Sequence, residues 1–156
     1  MGMSSTLKEY LYSEGIKFEL IKHPYSVNSM ETAETAHVPG NQLAKSVLLE
    51  DDEGYILAVI LSTHKIVLNI LERYLGRGLW LAYEVEISQL FYDCEIGAIP
   101  PTSMAYGYET ILNDSLMDCD NIYFDAGNHI DLVHVSGEEF DVMMADVEHG
   151  QFSSHI

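Results

Sequence analysis

The sequence predicts a single α+β domain, and three observations carry that expectation. Its 156 residues suit one domain built round one core. Hydrophobic residues make up 47% of the chain, too many for a disordered polymer. Segments of strand and helix character succeed one another without the strict alternation that a doubly wound parallel sheet requires. No repeat, low-complexity tract or linker divides the chain. Residues 1–145 therefore read as one domain, and residues 146–156, which carry little apolar pattern, as a flexible tail that frays.

The elements are taken in chain order. Residues 6–13 read as a short helix, because Thr6 and Glu9 have capping-box spacing and Gly15 ends the pattern. "IKFELIKH" alternates Ile16, Phe18 and Leu20 against charged residues, with Ile21 off the pattern, and reads as a strand stopped by Pro24. "SMETAETAHV" is rich in helix formers, with Asn28 or Ser29 as its cap, and Pro39-Gly40 breaks it. Residues 43–50 and 55–61 read as a hairpin turned by "DDEG".

"HKIVLNILERYLGR" reads as a helix with Ile66, Ile70 and Tyr74 on one face, Val67 and Leu71 beside them, and Gly76 just past its end. A short strand "LWLA", a helix "EVEISQLF" and a long irregular loop "YDCEIGAIPPTSMAYG" come next. "YETILN", "NIYFDA" and "DLVHVS" read as three strands. The last helix starts at Ser136, with Glu139 at the capping-box position.

Charge narrows the partners. Seven Lys+Arg against 25 Asp+Glu give a formal net charge of −18. Such a surface repels polyanions at long range, and there is no basic run to neutralise phosphates, so DNA is not an expected partner. Any nucleic acid must be touched over a small area. A wider grip would need Lys17, Lys22, Lys45, Lys65, Arg73 and Arg77 to gather at one mouth. No apolar run reaches membrane-span length and the N-terminal stretch lacks a signal-peptide pattern, so the expectation is a soluble, cytoplasmic protein. Cys94 and Cys119 lack CxxC spacing and are expected as free thiols.

Few residues advertise chemistry. Lys45 begins a strand in a chain with only five lysines. Local sequence favours a solvated charge there, and the alternative is a partly buried ammonium that binds an anion or orients a reacting group. In "GAIPP", Gly97 permits unusual backbone angles and Pro100-Pro101 stiffens the end of the motif. Such a loop can aim N–H groups at a carbonyl, or be an ordinary rigid turn. His129, Asp131 and His134 invite a metal reading, but strand alternation separates them, so no metal site is expected. GxSxG, GxGxxG, Walker and HExxH patterns are absent, and no cofactor is expected.

The order of these features is more specific than any one of them. A strand ending in "HP", a helix, "AKSVLLED", a hairpin, a helix ending in "LGR", "DCEIGAIPP", "YG", "NDSL" and "YFDAGNH" together resemble the YbaK/prolyl-tRNA-synthetase-associated editing domain family. The resemblance runs from about Phe18 to Met144. It implies a mixed, mostly antiparallel, curved β-sheet core flanked by helices. It also implies an aminoacyl-tRNA deacylase that hydrolyses the ester between a wrong amino acid and the tRNA 3′ end.

Carried residue by residue, the resemblance makes Lys45 the lysine that positions the ester or the terminal phosphate region. It makes Gly97, Ala98 and Ile99 the loop whose N–H groups lie near the carbonyl. Ser46, Pro100, Pro101, Gly127, Asn128 and His129 are the implied substrate-binding residues. The implied partners are the acceptor end of an aminoacyl-tRNA and, where one delivers it, an aminoacyl-tRNA synthetase. Ala98 replaces a glycine common in the family, and Thr102-Ser103 replaces an aromatic-glycine pair. A second reading is a catalytically inactive domain of the same fold that recognises a small molecule or partner protein. The acidic surface and the "PPTS" turn motivate it.

Overall fold

The structure, a computed structural model, describes residues 2–156. Its centre is a strand with no polar face. The hairpin forms as its sequence demands, from β2 (Ala44–Glu50) and β3 (Tyr55–Leu61), paired antiparallel. Asp51 makes the turn, its Oδ1 accepting from the N–H groups of Glu53 and Gly54. On β3, Leu57, Val59 and Leu61 point to one side of the sheet, and Ile56, Ala58 and Ile60 to the other. All six are buried, so both faces must be covered.

One face is covered by α1 (Ser5–Ser13) through Leu7 and Leu11, and by α5 (Gly137–Met143) through Phe140 and Met143. The other is covered by α3 (Leu68–Leu75), which contributes Leu71, and by Phe152. The sheet is completed by β5 (Trp80–Leu81), β6 (Glu109–Asn113) and β9 (Glu148–Gly150), in the order β5-β2-β3-β6-β9. The β3–β6 and β6–β9 pairings are parallel.

A second sheet has the order β1-β8-β7, all antiparallel, from β1 (Glu19–Lys22), β7 (Asn121–Asp125) and β8 (Asp131–Ser136). It touches the first through one parallel bridge, Leu43 to Tyr123. The helices α2 (Ser29–Thr35) and α4 (Glu84–Leu90) flank the sheets. The expected architecture, a mixed and mostly antiparallel core with flanking helices, is the one observed.

Four local expectations are corrected. Residues 146–156 do not fray. The stretch β9 joins the main sheet, and β10 (Ser153–His155) pairs antiparallel with β4 (His64–Ile66). Between them Phe152 is buried, and its N–H donates to Asn113 Oδ1 at 2.9 Å. That pairing takes His64–Ile66 into a strand, so α3 starts at Leu68, four residues later than expected. Leu71 is its one fully buried residue, while Ile70 and Tyr74 are 41% and 50% exposed. In β1 the off-pattern Ile21 packs against Ala33, Leu43 and Leu132, while Leu20 is exposed. Thr6 lies inside α1, and Ser4 is its cap, accepting from Leu7 N–H at 3.1 Å. Asn28, Gly76 and Ser136 cap their helices as expected.

The long loop from Phe91 to Tyr108 is tied down at its start. Asp93 accepts from Ser4 Oγ and Thr6 N–H, each at 2.9 Å, and from the Tyr106 hydroxyl. Burial alone would raise this carboxyl, but the hydrogen bonds outweigh it and hold Asp93 well below the ordinary carboxylate range.

Two outcomes are expected from this packing. Phe152→Ala should cost about 3–5 kcal/mol in urea unfolding, the range for a buried phenylalanine. An unchanged midpoint would mean that the terminal segment does not pack. Asp93 is held below its unfolded value, so its stabilisation is full at neutral pH and is lost as pH falls below about 4. Asp93→Asn should therefore lower the Tm at pH 7 and flatten the acid limb of the Tm–pH curve. A parallel downward shift at all pH values would contradict this.

Candidate active site

The start of β2 lies beside the second sheet, where Leu43 is bridged to Tyr123 of β7. A cavity of about 500 Å³ borders both strands. Lys45, Ser46 and Val47 border it from β2, and Asp125 borders it from the end of β7. Val27, Asn28, Ser29 and Met30 close it from the start of α2, and Gly97 and Ile99 from the long loop. Ser62 and Ile156 complete the lining. Its side chains are thus mostly small, apolar or hydroxyl-bearing, and Lys45 and Asp125 are the charged ones.

Lys45 is not the solvated strand-end charge that local sequence favours. It is half-buried, and its ammonium donates to the His64 carbonyl oxygen at 3.0 Å. Burial pushes it below the ordinary lysine range. The His64 ring nearby is held below the usual histidine value, by burial first and then by His155 and Lys45.

The loop bearing "GAIPP" is positioned from behind. Glu95 N–H donates to Gly127 O at 2.8 Å, and His129 Nε2 lies 2.8 Å from Ile96 O, the geometry of an N–H donor to that carbonyl. The His129 ring also packs against Tyr25, with centroids 5.1 Å apart. Gly97 has φ +85°, a conformation that side chains other than glycine adopt only with strain. Gly127 has φ +99°, and a Cβ there would fall 2.8 Å from Ser4 Cβ. Gly127 thus lets its turn pack against the start of α1 and against Cys94, 3.2 Å from such a Cβ, in the long loop.

Within the loop, Ala98 N–H donates to Glu95 O at 3.1 Å and is occupied. Pro100 and Pro101 have no N–H. The N–H groups of Gly97 and Ile99 have no intramolecular partner among the described residues, and both residues border the cavity. They are the loop's available donors for an oxyanion.

Of the ten residues singled out by sequence, Lys45, Ser46, Gly97 and Ile99 line the cavity. Ala98, Pro100, Pro101, Gly127, Asn128 and His129 are buried behind it. There Asn128 Oδ1 accepts from the N–H groups of Ile130 and Asp131 and shapes the turn. Ser103, the residue that departs from the family's loop, faces away from the cavity. Its hydroxyl donates to Glu109 O at 3.0 Å and bonds Thr110 Oγ1.

Cys94 is buried outside the cavity, and burial chiefly pushes its thiol up to about 11, so it is no thiolate nucleophile at neutral pH. Of Lys17, Lys22, Lys45, Lys65, Arg73 and Arg77, only Lys45 lines the cavity. Lys22 pairs with Asp131, and Arg77 with Asp51 and Glu109. Sequence reading missed Asp125 and the wall from Val27 to Met30. The signal for Asp125 was present: it ends a strand whose Ile122 and Phe124 face the core, immediately before the "AGNH" turn.

The aminoacyl-tRNA editing domain model matches residues 23–142. No curated protein matches the chain. A hypothetical protein of known structure superposes with TM-score 0.85 at 18% identity, covering 96% of this chain and 100% of that one. A candidate trans-editing enzyme for prolyl-tRNA synthetase superposes with TM-score 0.84 at 18% identity, covering 97% and 96%. A candidate signal-transduction protein from Marinobacter aquaeolei VT8 gives TM-score 0.78 at 17% identity, covering 97% of this chain and 31% of that one. At these identities the superpositions establish the fold, and the family model, which spans most of the sequence, establishes the rest: the chain belongs to the aminoacyl-tRNA editing domain family.

Proposed function

We propose that the chain is a deacylase that hydrolyses the ester between a wrong amino acid and the 3′ end of a tRNA. The observation that carries this reading is one shared cavity. Lys45 borders it together with Gly97 and Ile99, whose N–H groups have no intramolecular partner among the described residues.

The chemistry needs no protein nucleophile. Water adds to the ester carbonyl carbon, and charge gathers on the carbonyl oxygen. The Gly97 and Ile99 N–H groups stabilise that charge in a partly dehydrated site. The bond from the carbonyl carbon to the ribose oxygen then breaks. The ribose oxygen takes a proton, and the amino acid leaves as a free acid. The substrate's own 2′-hydroxyl is placed to activate the water, and the fixed geometry supplies much of the rate. Lys45 holds the acceptor-end phosphate or the ester itself. The walls set by Val27, Met30, Val47 and Ile99 select the side chain by size. One methylene is worth only about 1–3 kcal/mol, which is why selection at a synthetic site needs a second, hydrolytic one.

Lys45 is the one basic residue that borders the cavity, which fits a small tRNA contact at the acceptor end. A synthetase that presents this end would supply the remaining contact, in the cytoplasm where tRNA is charged. The solved relative described as a candidate trans-editing enzyme for prolyl-tRNA synthetase makes mischarged prolyl-tRNA the first substrate to try.

The test is amino-acid release from a panel of mischarged tRNAs by the wild-type chain and by Lys45→Ala. Wild type should turn over at least one, and Lys45→Ala should lower kcat/KM by on the order of 100-fold or more. Undiminished turnover in the variant would sink this mechanism. Binding of acceptor-end analogues without release from any tRNA would favour the second reading, a binding domain that has kept the cavity.

A further inference from the structure

The cavity contains a group that the deacylase reading leaves idle. Asp125 ends β7, two residues past the bridge partner Tyr123, just as Lys45 stands two residues past Leu43. In both strands that spacing returns the side chain to the same face. The two opposite charges thus leave neighbouring strands beside that bridge, and both border the cavity.

They do not neutralise each other. Among the described residues no ion pair joins them, and the Lys45 ammonium is directed to His64 O. Asp125 has no hydrogen-bond or ion-pair partner among the described residues. The fully buried acids, Asp51 and Asp131, are engaged, and so is the half-buried Asp93. Asp51 is held by Arg77 and two N–H groups, Asp93 by Ser4, Thr6 and Tyr106, and Asp131 by Lys22 and Asn128. An unpartnered carboxylate in a dehydrated wall is costly to ionise. Burial accordingly raises Asp125 to about 7. A cation brought by a ligand would relieve that cost, and the cavity is where it would arrive.

The chemistry of the substrate says which cation. In an aminoacyl ester the carboxylate is consumed, so the amino-acid backbone keeps one charge, its α-ammonium. That nitrogen lies two bonds from the carbonyl carbon. A receptor for it must therefore share a cavity with the N–H groups that hold the carbonyl oxygen. Asp125 is the one carboxylate side chain in the cavity wall that contains Gly97 and Ile99. We propose that Asp125 receives the α-ammonium group of the bound amino acid, so that the site takes aminoacyl esters with a free α-amine and rejects N-blocked ones. This rests on the deacylase reading and names its substrate class. Peptidyl-tRNA and N-formylated aminoacyl-tRNA, whose α-nitrogen is an uncharged amide, are spared.

The experiment uses probes that cannot be hydrolysed. Binding of 3′-(L-alanylamino)-3′-deoxyadenosine and its Nα-acetyl derivative, and of the corresponding seryl and cysteinyl pairs, is measured by calorimetry at pH 7. Wild type should bind the free-amine member of at least one pair about tenfold or more tightly than its acetylated partner, as expected for a charge-assisted hydrogen bond. Asp125→Asn should bring the two within about twofold.

Equal affinities in the wild type, a preference that survives in Asp125→Asn, or no wild-type binding of any probe would each overturn the proposal. The wild-type comparison decides even if the variant does not fold. Hydrolysis of the panel of mischarged tRNAs, alanyl-, seryl- and cysteinyl-tRNA among them, and of their Nα-acetyl forms is read separately. Discrimination between probes without any hydrolysis overturns the deacylase reading and leaves the ammonium site standing. Hydrolysis of an ester and its Nα-acetyl form at equal rates does the reverse.

Discussion

The structure depends on one constraint: β3 is apolar on both faces. A strand reading Tyr55-Ile-Leu-Ala-Val-Ile-Leu61 cannot leave either side in water, so each must be roofed. Leu7, Leu11 and Phe140 roof one side, and Leu71 with Phe152 the other. The roofing draws in both chain ends, since α1 comes from the start of the sequence and Phe152 from its end. It also fixes the partner strand. The register that sets Lys45 opposite Ile60 places the ammonium at the rim of the sheet, near the carbonyl of His64. The position of the candidate catalytic lysine is in this sense a by-product of the most hydrophobic strand in the chain.

The candidate site is divided into working surface and scaffold. The surface is thin: Lys45, Ser46, Asp125, the loop residues Gly97 and Ile99, and the wall at the start of α2. Behind it, His129 holds the Ile96 carbonyl, Gly127 accepts from Glu95, and Asn128 shapes the turn that lets Gly127 come so close. A sequence pattern such as "AGNH" marks both layers alike, because both are needed for the same geometry. Only the three-dimensional arrangement separates a residue that can touch a ligand from one that aims its neighbour.

How much was legible depends on the range of the interactions. The hairpin, the Gly76 terminus and the Ser136 and Asn28 caps rest on contacts within a few residues, and local patterns report them. The pairing of His64–Ile66 with Ser153–His155 joins segments about ninety residues apart, and neither is strongly patterned by itself. Missing it made the terminus look frayed and shifted the apolar face assigned to α3 toward Ile66. One long-range pairing thus accounts for two local misreadings. Lys45 was flagged by rarity and resemblance, whereas Asp125 was passed over. Being without a partner is a property of the space round a carboxylate, and no spacing rule encodes it.

The bridge between Leu43 and Tyr123 has a mechanical side. The two sheets are joined there by a backbone bridge and also by one buried cluster, in which Leu57 and Val59 of the first sit with Ile122, Phe124, Val133 and Val135 of the second. The cavity borders that seam. Its walls are therefore carried by two sheets locked to a common interior, which transmits strain rather than yielding to it. The size of side chain admitted is tied to the packing of a core that lies mostly behind the residues a ligand would meet.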